Sequence, residues 1–270
     1  MTMIYIILSV LAVLFLTYTL VLVFPGLKRK RTVDFEKYFT DYAHRGLWGE
    51  GAPENSLAAF SRAAERGFGI ELDVRLSRDK TVYVFHDEKL KRMTGVDRKL
   101  SELTDSEIEE LRLLNTGEKI PTFKEVLSLV DGRIPIMVEL KGETFDDSVC
   151  VEADKLLKEY SGPYCIESFN PFLVGWYRKN RPEIMRGQLV DGKTEWLSAL
   201  CSSLVFNIYN RPDFISYDFK RYYKFSLWLA TRLWSARRTV WTIKSESDRK
   251  TAMDSGANVI FEGFIPDRKE

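Results

Sequence analysis

Apolar and polar positions divide the chain into two unlike parts. From Met3 to Phe24 no residue is charged, and Ile, Leu, Val and Phe dominate. A helix rises about 1.5 Å per residue, so ~20 such residues cross a hydrocarbon core about 30 Å thick. A cleaved secretory signal would show a basic residue before a shorter apolar run and a small-residue site behind it. Neither feature surrounds Phe24-Pro25-Gly26-Leu27. The run is therefore read as a retained transmembrane anchor over residues 1–27. The block Lys28-Arg29-Lys30-Arg31 opens a basic juxtamembrane linker over 28–37. Positive charge tends to stay inside, which puts the rest of the chain on the cytoplasmic side of the cell membrane. Such a block also attracts anionic head groups.

The remainder, 38–270, alternates short apolar runs with amphipathic stretches. Strands are predicted at Asp41–His44, Gly69–Val74, Ile134–Leu140, Tyr164–Ser168, Ile184–Leu189, Phe214–Tyr217, Thr239–Ile243 and Val259–Phe261. Helices are predicted at Leu57–Glu65, Phe123–Leu129, Asp147–Lys158, Pro171–Lys179, Phe219–Arg232 and Glu246–Ser255. Strands separated by helices specify an α/β fold, here a parallel (β/α)8 TIM barrel behind one transmembrane helix. Two stretches break the rhythm. Val74–Phe85 folds back around Arg78-Asp79-Lys80 as a hairpin that returns His86 toward Asp73, and the polar segment 88–117 reads as a small insertion.

Composition narrows the field. Forty Lys and Arg against 39 Asp and Glu leave a net charge of +1, which gives no general reason to expect nucleic acid as a partner. The cysteines at 150, 165 and 201 lack metal-ligand spacing and read as small buried hydrophobes in a reducing compartment. With only two histidines, His44 and His86, any histidine chemistry must use these.

Both lie at predicted strand ends, where barrel enzymes gather their catalytic groups. Glu71 and Asp73 are two apart in a strand and share a face, while Ile70, Leu72 and Val74 take the other. Two carboxylates cannot both stay ionised in a dry core without a cation. A third, Glu139, ends the strand Ile136-Met137-Val138-Glu139-Leu140, and three such groups suit an oxygen-preferring ion, Mg²⁺ or Ca²⁺. The plainer alternative is a solvent-facing strand edge, with Arg75 or Lys141 pairing the acids. One histidine as general base and the other as general acid supply ~10²–10⁴-fold in rate. Arg45 and Lys141 can offset the charge of a phosphate.

The strings His44-Arg45-Gly46, Pro53-Glu54-Asn55-Ser56, Glu71-Leu72-Asp73-Val74, His86-Asp87 and Glu139-Leu140-Lys141 together resemble the glycerophosphodiester phosphodiesterase family. Ser168-Phe169-Asn170-Pro171 and Val240-Trp241-Thr242-Ile243 are similar too, so the likeness covers nearly everything after residue ~38. It implies that Glu71, Asp73 and Glu139 hold one divalent cation, with His44 and His86 as the acid/base pair and Arg45 and Lys141 on the phosphate. Glu54 and Asn55 would shape the loop over the first strand, with Glu54 a pocket candidate, and Trp241 would line the alcohol side. The implied reaction is metal-dependent hydrolysis of glycerophosphodiesters to an alcohol and glycerol 3-phosphate. Two alternatives stand beside it: a lysophospholipase D releasing lysophosphatidic acid at the membrane, and a catalytically silent membrane-tethered lipid-binding protein. One departure lies near the end, where the family's Thr-Asp-Tyr/Phe-Pro is replaced by Phe261-Glu262-Gly263-Phe264-Ile265-Pro266. That segment is expected to lie outside the catalytic set.

Overall fold

In the computed structural model the residues described are 2–22, 35–142, 145–191, 196–221 and 224–267. The basic block at 28–31, and the topology inferred from it, lie outside them. Helix α1 (Thr2–Thr17) continues through a π-helical turn at Tyr18–Leu22. Its stretch Thr2–Leu20 is long and apolar enough to cross a membrane, a length and composition that a signal sequence also presents.

The body contains β1 (Tyr42–His44), α2 (Leu57–Glu65), β2 (Gly69–Leu76), β3 (Val82–Val84), α3 (Lys91–Thr94), α4 (Asp105–Glu109), α5 (Phe123–Val130), β4 (Ile136–Leu140) and α6 (Ser148–Glu159). It continues with β5 (Tyr164–Ser168), α7 (Pro171–Asn180), β6 (Arg186–Val190), α8 (Trp196–Ser202), α9 (Asn207–Asn210), β7 (Phe214–Asp218), α10 (Phe225–Trp234), β8 (Arg237–Ile243), α11 (Glu246–Asp254) and β9 (Ala257–Phe261). The eight strands other than β3 are parallel, and pairing of β1 with both β2 and β9 closes them into a barrel. β3 returns antiparallel along β2, with Val84 opposite Val74. This is the hairpin that the alternation around Arg78-Asp79-Lys80 predicts.

Strand alternation sorts the barrel into layers. On β2 the residues Ile70, Leu72 and Val74 are fully buried against surrounding helices. The helices begin where the sequence supplies caps: Ser56 Oγ accepts from Ala59 N on α2, Thr122 and Glu125 form a capping box on α5, and Asn170 caps α7 ahead of Pro171. A separate cluster of Tyr42, Met137, Cys165, Met185, Phe214 and Ile260 joins inward positions near the strand starts. That apolar plug fills the barrel interior near the strand starts, away from the rim where the strands end. Cys150 and Cys165 are buried free thiols and Cys201 is a half-buried one, as small apolar residues would be.

Segment 88–117 holds α3, α4 and two 3₁₀ turns around a small core that includes Phe85, Leu90, Met93, Leu100 and Ile108. The predicted helix over 219–232 is two pieces, a 3₁₀ turn at Phe219–Arg221 and then α10. Its start is set by Lys224, whose extended backbone forms the N-cap. Helices α8 and α9 add two short elements to the predicted set.

Candidate active site

The chain turns sharply after β1, and that turn builds one side of the site. Arg45 (φ 58°) and Gly46 (φ 81°) both take left-handed backbone. At Gly46 a side chain is also excluded by space, since a Cβ there would stand 2.9 Å from the Ala59 carbonyl carbon. Gly46 N donates to Ala43 O, and Asn55 N donates to Arg45 O. The loop over 45–55 is thereby folded onto the rim.

Three carboxylates converge there. Glu71, Asp73 and Glu139 each offer an oxygen within 4.8 Å of the others, and all three are buried. Register explains the meeting, because Asp73 on β2 lies directly beside Glu139 on β4. Lys141 Nζ sits 3.1 Å from Asp73 and 2.5 Å from Glu139. Arg45 N donates to Glu71 at 3.1 Å, and the Arg45 guanidinium lies 3.5 Å from Asp73. Asn55 donates its side-chain amide to Asp73 at 2.9 Å.

Burial pushes the Glu71 carboxyl well up, helped by Asp73 and Glu139. Glu139 is likewise raised by burial, to about 7. Asp73 ends low despite its burial, because Lys141, His86 and Arg45 surround it. Burial opposes charge on Lys141 as well, yet Asp73 and Glu139 hold its ammonium up at about 12. A close set of acidic oxygens with two of its members driven toward the neutral form fits a hard divalent cation, which would restore their charge.

Both histidines line the same cavity of about 230 Å³ as Glu71, Glu139, Lys141 and Trp241. His44 Nε2 lies 4.0 Å from Glu71 Oε2. His86 Nδ1 is 2.7 Å from Asp87, itself drawn down to about 2 against its burial, by Arg92 and then His86. Burial lowers the His86 imidazole below its ordinary value. Trp241 packs edge-on against Phe169, with centroids 5.8 Å apart. Glu54 stands behind Arg45 rather than among the lining residues: it holds the Arg45 guanidinium at 2.7 Å and is itself held by Arg92.

Two further carboxylates belong to the site. Glu167, in register with Glu139 on the neighbouring strand, is buried in the cavity wall. Its signal was an acid inside the otherwise strand-forming Tyr164-Cys165-Ile166-Glu167-Ser168. Glu262 corrects the reading of the last segment: its Oε2 lies 2.5 Å from His44 Nδ1, and Lys244 holds its other oxygen at 3.0 Å. The cause is topological, since β9 closes the barrel against β1 and so delivers its following residue to the end of β1. Hydrogen bonding from His44 pulls the Glu262 carboxyl down to about 2.

Residues 44–209 match the Glycerophosphoryl diester phosphodiesterase family. The chain belongs to that family. A glycerophosphodiester phosphodiesterase of Caldanaerobacter subterraneus is 35% identical over 161 residues, 54% of this chain and 65% of that protein. A Bacillus subtilis relative is 34% identical, with 62% of its length covered, so the chain spans just under two thirds of these relatives. The lysophospholipase D GDPD1 of Rattus norvegicus is 24% identical over 97% of this chain and 95% of its own. Among solved structures, a glycerophosphodiester phosphodiesterase from Thermotoga maritima gives a TM-score of 0.66 at 28% identity, covering 82% of this chain and 93% of that one. An Oleispira antarctica phosphodiesterase, solved with the product sn-glycerol-3-phosphate, gives 0.70 at 24% identity, covering 82% and 92%. Its likeness bears on the fold.

Proposed function

We propose that this chain hydrolyses glycerophosphodiesters to an alcohol and glycerol 3-phosphate. One observation carries the reading: both histidines, the acidic trio and two cationic side chains meet around a single cavity. Residues 44–209 also match the family of enzymes with that activity. Glu71, Asp73 and Glu139 would hold one divalent ion, Mg²⁺ or Ca²⁺, which when bound would supply positive charge to the phosphoryl group. Arg45 and Lys141 add positive charge at the same rim and orient the phosphate.

The two imidazoles take different roles because their surroundings differ. Burial keeps His86 neutral, and Asp87 takes its Nδ1 proton in a hydrogen bond, leaving Nε2 free to accept a proton from the nucleophile. His44 directs Nδ1–H at Glu262, whose carboxylate balances the ring when it carries both protons. Its Nε2 then donates to the departing alkoxide. The nucleophile is water, or the neighbouring glycerol hydroxyl, in which case a cyclic phosphate forms first and water then opens it to glycerol 3-phosphate. Trp241 and Phe169 wall the alcohol side.

Thr2–Leu20, read as a membrane anchor, brings bilayer lipids within reach, so lysophospholipids form a second substrate class. The test is metal-dependent release from glycerophosphocholine and from lysophosphatidylcholine, with products resolved by mass spectrometry. Glycerol 3-phosphate from the first supports the reading, and lysophosphatidic acid from the second supports the lysophospholipase D activity. No turnover of either, with the cation supplied, would leave a lipid-binding protein and refute catalysis.

A further inference from the structure

Helix α10 turns two large aromatic rings outward. Phe225 and Trp228 are 56% and 53% exposed, and they stack with centroids 5.8 Å apart. Lys220 and Arg221, both exposed, lie on the 3₁₀ turn just before the helix. Clustered exposed aromatics beside basic residues are the composition of a protein surface that sits at the head-group level of a bilayer.

The apolar N-terminal helix ends against this same face. The Phe15 ring lies 6.3 Å from Phe225. Tyr18 donates its hydroxyl to Ser203 O at 2.7 Å, and Trp234 Nε1 donates to Thr19 O at 3.0 Å. These contacts also give a direction. α10 leads from the end of β7 back to the start of β8, so Phe225 lies at the level of the cavity mouth and Trp234 toward the opposite end. Phe15 meets the first and Thr19 the second. α1 therefore descends along α10, and its earlier, exposed residues project past the mouth.

We infer that the barrel docks on a bilayer with its cavity mouth toward the lipid. The part of α1 before Phe15 enters the bilayer, Phe225 and Trp228 enter the interface, and Lys220 and Arg221 take lipid phosphates. Single-chain phospholipids then present their head groups to the His44–His86 cavity from the membrane plane. This substrate route rests on the phosphodiesterase reading; the docking itself does not.

The test uses the full chain in vesicles of phosphatidylcholine and phosphatidylglycerol. Lipids brominated high on the acyl chain quench a share of tryptophan emission, and that share disappears in Trp228→Phe. Quenching unchanged by the substitution overturns the docking, as does a cross-linked dimer in which a second copy covers Trp228. In the activity arm, Phe225→Ser with Trp228→Ser lowers turnover of bilayer-held lysophosphatidylcholine about tenfold, as expected when two rings no longer bury apolar surface. Soluble glycerophosphocholine is cleaved at an unaltered rate. Equal rates on both substrates, or equal losses on both, overturn the route. Failure of the unaltered chain to cleave either sinks the phosphodiesterase reading, while the quenching arm still decides the docking.

Discussion

Replacing Glu262 by Gln tests the arrangement of the site most sharply, because the residue lies outside the cavity lining and acts only through His44. The carboxylate accepts from His44 Nδ1 at 2.5 Å, and both side chains are largely sheltered, at 16% and 17% exposure. A hydrogen bond to a charged group contributes about 1.5–3 kcal/mol, and a ring freed to rotate or to adopt the other tautomer loses that share when it must donate from Nε2. Converted to rate, the loss is roughly 10–150-fold in kcat. KM should stay within about twofold, since only transition-state stabilisation is removed. Glu262→Asp, one methylene shorter but still anionic, should recover part of the loss. A second readout is stability. The pair holds the Glu262 carboxyl down at about 2, against an ordinary 4.5, so its contribution is complete above the ordinary value and fades as pH falls toward 2. Urea midpoints followed down through that window should fall less steeply in Glu262→Gln. A kcat for Glu262→Gln within twofold of the unaltered chain refutes the positioning role, whatever the stability curve does.

Three further outcomes are expected. His86→Ala should lower kcat by ~10²–10⁴-fold while the thermal midpoint changes little; a fully active variant in steady-state assays would remove His86 from proton transfer. Adding Mg²⁺ or Ca²⁺ at about 100 times its Kd should stabilise the chain by about 2.7 kcal/mol, read as a rise in Tm that EDTA reverses. Glu139→Gln combined with Asp73→Asn should abolish that rise, and a rise that persists would relocate the ion. Gly46→Ala forces a methyl group into the Ala59 backbone at a positive φ, so denaturant melts should show a loss of about 1–3 kcal/mol. An unchanged midpoint would mean the turn after β1 adapts freely.

The legible parts of the fold were those where one residue decides a face. Ile70, Leu72 and Val74 against Glu71 and Asp73 gave β2 both its layer and its acidic side, and the predicted helices at Leu57, Phe123 and Pro171 start behind Ser56, Thr122 and Asn170, which cap them. The strand edges shifted by a residue or two, as at β6, where Ile184 precedes the strand that opens at Arg186. What stayed hidden depends on closure. Nothing in local spacing says that residue 262 returns to residue 44, because the contact exists only once β9 pairs with β1. Glu167 was hidden for a related reason: its importance comes from lying beside Glu139, a register that a single strand does not encode. Arg92, which ties Glu54 and Asp87 together, comes from the insertion and carries no motif of its own.

Charge balance joins these missed residues to the predicted ones. Glu71, Asp73, Glu139 and Glu167 are four buried carboxylates; Lys141 and Arg45 lie against them, and Arg75 acts on Asp73 and Glu139 from farther off. Negative charge is left over. Such an excess in a low-dielectric interior is relieved either by protons or by a cation. The first route is visible in Glu71 and Glu167, both pushed well up by burial. The second suits Glu71, Asp73 and Glu139, whose oxygens converge. In the proposed reaction a phosphodiester would bring further negative charge to this rim, and His44, backed by Glu262, would hold the proton that the departing alkoxide requires.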